Sequence, residues 1–269
     1  MAEGQITPPG PDRTPRQAGN YVAATAGTIN DRSSQQSGRW GNCVDFPGSS
    51  FLLRLPDREE DMARKLDFKK ELSTFFQPPA GRFVEVGLPE MRFVMVDGEG
   101  NPNTAPAYRE ALEWLYSLSF AMKFASKDKL GRDYVVPPLE GLWWADDPAD
   151  FVRRNKDVWK WTMLIMAPDF VTEEMFHGAR QRTSQKLDTP PETLRLAPLH
   201  EGRCLQTMHI GSYDDEGPTL ARLHDEIMPQ GKLTFNGPHH EIYIGDPRRV
   251  APDRLKTVLR QPVRSVEPS

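Results

Sequence analysis

Apolar residues recur along the chain with two periods, and the switches between them outline the fold. Met91 to Val96 is an apolar run set between Pro89-Glu90 and the turn cluster Asp97-Gly98-Glu99-Gly100-Asn101-Pro102-Asn103, and it reads as a strand. Residues 106–125 then place Ala111, Leu115, Leu118, Met122 and Ala125 at steps of three and four. That spacing predicts a helix whose single apolar stripe is core. Pro137 to Trp144 and Trp159 to Met166 follow as strands, the second with Trp159, Trp161, Met163 and Ile165 on one face. Val171 to Lys186 reads as a helix, with Asp169 or Thr172 as its N-cap. Gly202 to Ile210 is again a strand. After the turn Gly211-Ser212-Tyr213-Asp214-Asp215 comes a helix over Pro218 to Met228, with Pro in its first turn. His239 to Gly245 and Lys256 to Val263 are the last two strands, with Pro262 near an end or a sheet edge.

The order strand-helix-strand-strand therefore occurs twice, joined by the helix at 171–186. The expected fold class is α+β. A duplicated strand-helix-strand-strand module forms one antiparallel sheet, with helices on one face and a ligand pocket on the other. Residues 1–61 follow neither period and are rich in Pro, Gly, Ser, Gln and Asn. Such a segment has too little to bury to offset its ordering entropy, so it is expected to be a disordered low-complexity tail ahead of a folded domain at 62–269. Phe51-Leu52-Leu53 is its short apolar exception.

Charge and composition narrow the function classes. A net charge of −4 argues against direct nucleic-acid binding through a basic face. No apolar run approaches the roughly 20 residues of a membrane helix, and the N-terminus has no apolar leader core. The two cysteines, Cys43 and Cys204, form no CxxC pattern, so a reducing cytoplasmic location is expected.

The chemistry concentrates on one strand. In His239-His240-Glu241-Ile242-Tyr243-Ile244-Gly245, Ile242 and Ile244 point to one face and His239, Glu241 and Tyr243 to the other. An acid, a phenol and an imidazole on one strand face suit the floor of a ligand pocket. The plainer alternative is a solvated sheet face. The duplication matches Pro138-Leu139-Glu140-Gly141-Leu142 to this stretch, making Glu140 the counterpart of Glu241, and with the halves packed about a pseudo-twofold axis both acids are expected to line the pocket near that axis. The candidate catalytic residues are Glu241, Glu140 and Tyr243. The candidate ligand-binding residues are Trp143, Trp144, Trp159, Trp161, Met163, His209, Tyr213 and His239. Tryptophans in such a cluster serve equally well as core, and His209 as a hydrogen-bonded structural residue. His239-His240 with Glu241 lacks a third ligand at sensible spacing, so neither a metal nor another cofactor is expected. No GxSxG occurs, and Cys204 lies mid-strand without a partner base, which disfavours nucleophilic catalysis.

The residues from about Leu66 to Val263 resemble the GyrI-like small-molecule-binding proteins. The resemblance rests on Leu66-Asp67-Phe68-Lys69-Lys70-Glu71-Leu72, the Asp97–Asn103 turn, Pro138-Leu139-Glu140-Gly141-Leu142-Trp143, Pro168-Asp169-Phe170-Val171-Thr172, the run from Met208 through Gly211-Ser212-Tyr213 to Glu216, and His240-Glu241-Ile242-Tyr243. It is strongest to the stand-alone branch, which includes cyclopropanoid cyclopropyl hydrolases. Ser212 stands where that pattern has proline before Tyr213, and Gly217-Pro218 also departs from it. The resemblance implies a pocket for planar aromatic or hydrophobic small molecules. It also implies hydrolysis of reactive cyclopropanoids by water held on Glu241 or Glu140, with Tyr243, Tyr213 or His209 donating to the oxyanion. The alternatives are a non-catalytic drug-binding or sequestering protein, and a ligand-sensing module with a protein partner.

Overall fold

Short alternating runs separated by turns pair in the computed structural model into one antiparallel sheet. The model describes residues 65–266 apart from 148, 149, 151 and 152. The tail expected at 1–61, with Phe51-Leu52-Leu53 and Cys43, lies outside the described residues. Among the described residues the strands are β1 (Val84–Leu88), β2 (Met91–Glu99), β3 (Leu139–Trp144), β4 (Lys160–Ala167), β5 (Arg195–Leu199), β6 (Gly202–Ile210), β7 (Leu233–Phe235), β8 (His239–Tyr243) and β9 (Lys256–Ser265). Their order is β1-β6-β9-β8-β3-β4-β2-β5, with β7 paired to the far end of β9. The helices are α1 (Phe68–Glu71), α2 (Ser73–Phe76), α3 (Pro106–Leu130), α4 (Glu173–Thr183), α5 (Gly217–Arg222) and α6 (Met228–Gln230), with a π-helical turn at Leu223–Ile227 between the last two.

The α+β class and the single antiparallel sheet expected from the sequence are the observed ones, and the duplication is visible in the strand order. One half runs β6-β9-β8 and the other β3-β4-β2, so the halves meet at β8 and β3 as mirror-ordered copies. At this seam Gly141 pairs with Glu241, Trp143 with His239, and Glu140 with Ile242. The sequence match between the repeats is therefore out by one residue. In a strand one residue is a change of face. Glu140 turns to the side of the sheet opposite Glu241, and the two acids do not share a pocket.

α3 covers the sheet. Pro106 occupies its first turn, and Gly131 ends it in the left-handed conformation (φ 66°), a backbone that favours glycine. Its stripe of Ala111, Leu115, Leu118 and Met122 is buried, as the periodicity predicts, and the helix lies against β2, β4 and α4. α4 is capped by Thr172, whose hydroxyl oxygen accepts from the Met175 amide at 3.3 Å.

Two of the expected ligand-binding residues belong to this core. Trp161 is fully buried, with its ring edge-on to Tyr108 at 5.2 Å between centroids. Room for it is made by Gly98, where a Cβ would stand 2.2 Å from the indole. Met163 is also fully buried. Both sit on the interior strand β4 under α3, so the sheet face they share with Trp143 is closed by helix at their positions and open only farther along.

Three strands fall outside the sequence expectation. β1 has the period-two pattern, with Val86 and Leu88 in and Glu85 and Gly87 out. β5 carries Pro198 and is the last strand in the order, an edge that tolerates a residue without an amide proton. β7 has only three residues. Among the described residues, no helix is long and apolar enough to cross a membrane.

Candidate ligand-binding site

Alternation along β8 and β3 sends Glu241, Tyr243, Gly141 and Trp143 to the face that α3 covers. There a pocket of about 510 Å³ opens between the helix, the sheet and the segment around Tyr213. The sequence reading put the pocket on the face away from the helices. The structure puts it on the helix face, because α3 is itself one wall, presenting Tyr108, Leu112, Tyr116 and Phe120 at steps of four. The other walls are Trp143 and Trp159, Tyr213 and Glu216, and the loop from Ile244 to Arg248.

The floor is a chain of hydrogen bonds. The Trp143 indole donates from Nε1 to the Tyr243 hydroxyl at 3.0 Å, and that hydroxyl donates to Glu241 Oε2 at 2.8 Å. Burial, followed by the charge of Glu241, pushes the Tyr243 phenol well above its usual range, so it keeps its proton. Its one proton is committed to Glu241. Tyr243 therefore orients the carboxylate and is not the free oxyanion donor that the sequence reading allowed. Tyr108 and Tyr213 also face the pocket, and their phenols are raised by burial first and by Glu241 second. Tyr213 stands edge-on to Tyr243 at 5.6 Å.

A second acid completes the site. Glu216 follows the 3₁₀ turn Tyr213–Asp215 and is only 4% exposed. Its carboxyl is raised well above the usual range, first by burial and then by the charge of Glu241. Two carboxyl groups in one pocket disfavour each other's ionisation, and burial adds to that cost at Glu216. The mouth carries paired charges. Arg154 bonds to Asp214, and Arg248 grips Asp246 through two nitrogens at 2.9 Å each.

Of the residues proposed from sequence, Glu241, Tyr243, Trp143, Trp159 and Tyr213 line this pocket. The others do not. His239 lies beside it, with Nε2 3.6 Å from Glu241 Oε1. His209 holds its own turn, with Nε2 3.0 Å from the Ser212 carbonyl oxygen. Trp144 is one residue out of phase with Trp143 and points to the back of the sheet, opposite Lys160. Glu140 is buried on that same back face against His240. Cys204 is inert in this setting, its thiol pushed up to about 12 by burial. Sequence reasoning missed Glu216, Tyr108 and Tyr116. The tyrosines were detectable as a second stripe of α3 beside the apolar one. Glu216 stood in a quoted motif, but nothing in the sequence said that its turn folds inward. Among the described residues, no group of three His, Cys, Asp or Glu side chains is arranged to hold a metal ion.

Gly141 gives a sharp test of the floor. A Cβ there would lie 2.7 Å from Trp143 Nε1, 3.1 Å from the Tyr243 hydroxyl and 3.2 Å from Met163 Sδ. Gly141→Ala is expected to push the indole off the phenol and to weaken binding of a planar ligand by about tenfold, the scale of one lost buried hydrogen bond. Titration followed by tryptophan fluorescence reads this. Unchanged affinity would show that the chain of hydrogen bonds is not part of the binding surface.

An aromatic pocket floored by an oriented carboxylate, at the seam of a duplicated module, defines a small-molecule-binding protein. Residues 83–264 match the model of the GyrI-like small molecule binding domain, and the chain belongs to that family. Three solved structures from Listeria innocua are similar over their whole length. One, an uncharacterized conserved protein, is 38% identical, with 74% of this chain and 100% of that chain covered and a TM-score of 0.68. A hydrolase encoded by lin2189 is 36% identical, with 75% and 100% covered and a TM-score of 0.67. A further hydrolase is 37% identical, with 74% and 100% covered and a TM-score of 0.63. No curated protein matches the chain.

Proposed function

We propose that this protein binds planar, largely apolar small molecules in the pocket and hydrolyses reactive members of that class, of the cyclopropanoid type. The observation that carries the reading is the pair of acids, Glu241 and Glu216, in an aromatic-lined pocket, with Glu241 oriented by Tyr243. The likeness to two Listeria proteins described as hydrolases supports it.

The chemistry follows from the different settings of the two acids, one oriented by Tyr243 and the other buried in the wall. Glu241 accepts a proton from a water molecule as that water attacks the strained ring carbon. The ring C–C bond breaks, and its electron pair moves through the conjugated system to the carbonyl oxygen. That oxygen takes a proton from Glu216, so one water is added and no net proton is released. Tyr108 and Tyr213, both still protonated, are further donors toward the developing oxyanion. Stacking between the rings of Tyr108, Trp143 and Tyr213 holds the planar substrate in place.

The test is incubation with a duocarmycin-type cyclopropanoid, followed by mass measurement. The expected product carries the mass of one added water and forms faster than in buffer alone. Saturable quenching of tryptophan fluorescence without that product would leave binding and sequestration as the activity. Neither quenching nor product, with a protein co-purifying instead, would favour the partner-binding alternative.

A further inference from the structure

On the back of the sheet, directly behind the pocket floor, lies a closed cluster of four charged side chains. His240 is completely buried and is gripped on both sides. Its Nε2 lies 2.9 Å from Glu140 Oε2 on β3, and its Nδ1 lies 2.9 Å from Glu201 Oε1 in the turn before β6. Arg260 on β9, itself 1% exposed, donates to Glu201 Oε2 at 3.2 Å and to Gln206 Oε1 on β6 at 3.1 Å. It also donates to the Phe75 carbonyl in α2 at 2.9 Å. With His240 protonated, the two negative and two positive charges balance. The cluster thus holds β8 against its neighbours on both sides, β3 and β9.

Such a cluster needs a reason other than stability. Buried ion pairs are often no better for stability than well-packed apolar residues, and their best-attested use is to fix a register. β8 has the register problem. Its pocket face carries His239, Glu241 and Tyr243, and its back face offers only His240 and Ile242. One buried isoleucine specifies register weakly, and a slip of one residue exchanges the two faces. In the slipped strand Glu241 would enter the back face against Glu140 and Glu201, three carboxylates with Arg260 as their cation. His240 opposes this slip by giving both acids a cation in the native register, and a slip the other way, which would bring His239 to them, would bury Glu241 in the apolar site of Ile242.

We infer that His240, clamped by Glu140 and Glu201, is a positioning residue that locks β8 in the register that presents Glu241 to the pocket. The inference rests on the reading of Glu241 as the working carboxylate, and the two are separable by experiment. His240→Gln, Glu241→Gln and the double variant are titrated with ethidium, a planar cation, at neutral pH. Each single variant is expected to bind about tenfold more weakly, and the double variant no more weakly than Glu241→Gln alone, because His240 acts through Glu241. Additive losses, or wild-type affinity in folded His240→Gln, overturn the lock. Should His240→Gln fail to fold, Glu140→Gln removes one side of the clamp and is expected to give the same non-additive pattern. A thiol at position 241 reports orientation whether or not Glu241 serves a ligand. Glu241→Cys is expected to label with monobromobimane, located by peptide mass, and to label about tenfold more slowly when His240→Gln is added. Equal labelling overturns the lock. An unaltered ethidium affinity in Glu241→Gln, with the labelling difference intact, overturns only the role given to Glu241.

Discussion

Glu241→Gln is expected to lower the rate of cyclopropanoid hydrolysis by at least roughly 10²-fold, the usual scale of general-base assistance. The amide keeps the shape of the side chain and can still accept from the Tyr243 hydroxyl, so the floor of the pocket is preserved. It has no basicity to take the proton of the attacking water. A neutral planar ligand should therefore bind nearly as well as before. A cationic one should bind less well, because the negative charge at the pocket floor is gone. Single-turnover rates by mass spectrometry, set beside affinity by fluorescence, separate the two effects. An undiminished rate in the variant would remove Glu241 from the chemistry. A loss of affinity for cations with no hydrolysis in the wild type would make it a binding group alone.

Glu201→Gln is expected to destabilise the fold by about 3–5 kcal/mol, the usual result of removing one partner from a buried ion pair. Glu201 answers two cations at once, His240 and Arg260. The substitution leaves His240 with Glu140 alone and Arg260 with neutral partners only. Urea unfolding at neutral pH measures the loss, and a change within experimental error would show that the cluster is not needed for folding. The same groups set a pH window in the wild type. Burial opposes the charge on His240, but Glu201 and Glu140 outweigh it and raise the imidazolium to about 9. Its contribution is complete below the unfolded value of 6.5 and is lost as pH rises through about 9. Burial also opposes the charge on Glu201, but His240 and Arg260 outweigh it and lower the carboxyl to about 2. That contribution is complete above the unfolded value of 4.5 and is lost as pH falls through about 2. This cluster is therefore expected to contribute most between about pH 5 and 6, with its stabilisation declining on either side.

How much of the site was legible depended on which kind of pattern recorded it. Glu241 and Tyr243 were readable because a strand alternates, and an acid and a phenol two residues apart must share a face. Trp143 and Trp144 show the limit of that rule. Alternation says that they part company, but not which one meets the ligand. Trp161 and Trp159, expected on one strand face, pose the same question, and the answer came from packing: α3 closes over Trp161, while Trp159 precedes β4 and lines the pocket. Glu140 was misplaced because the pattern of the two repeats fixes their match only to within a residue, and in a sheet one residue decides the face. The polar back-face cluster was invisible for a related reason. Glu140, Glu201, His240 and Arg260 are far apart in the chain, and nothing local in any of them announces burial.

What the sequence determined by itself is the elements of the two repeats and their repetition. The periods of 3.6 and two, the turn residues at Gly211 and Gly245, and the recurrence of one strand-helix-strand-strand order are local properties, set by backbone sterics and by which face is apolar. They carry the α+β class, the single antiparallel sheet and the pocket strand at His239–Tyr243. The tertiary structure decided the register at the β3–β8 seam, the side of the sheet that holds the pocket, and the partner of each titratable group. These depend on contacts between residues a hundred positions apart, such as Trp143 with Tyr243, and on how burial and neighbouring charge divide protons between acids of identical chemistry. Glu241, Glu216 and Glu140 are the same residue type in the sequence. Packing makes the first an acid oriented by Tyr243 at the pocket floor, the second a buried acid in the wall of the same pocket, and the third the buried partner of His240.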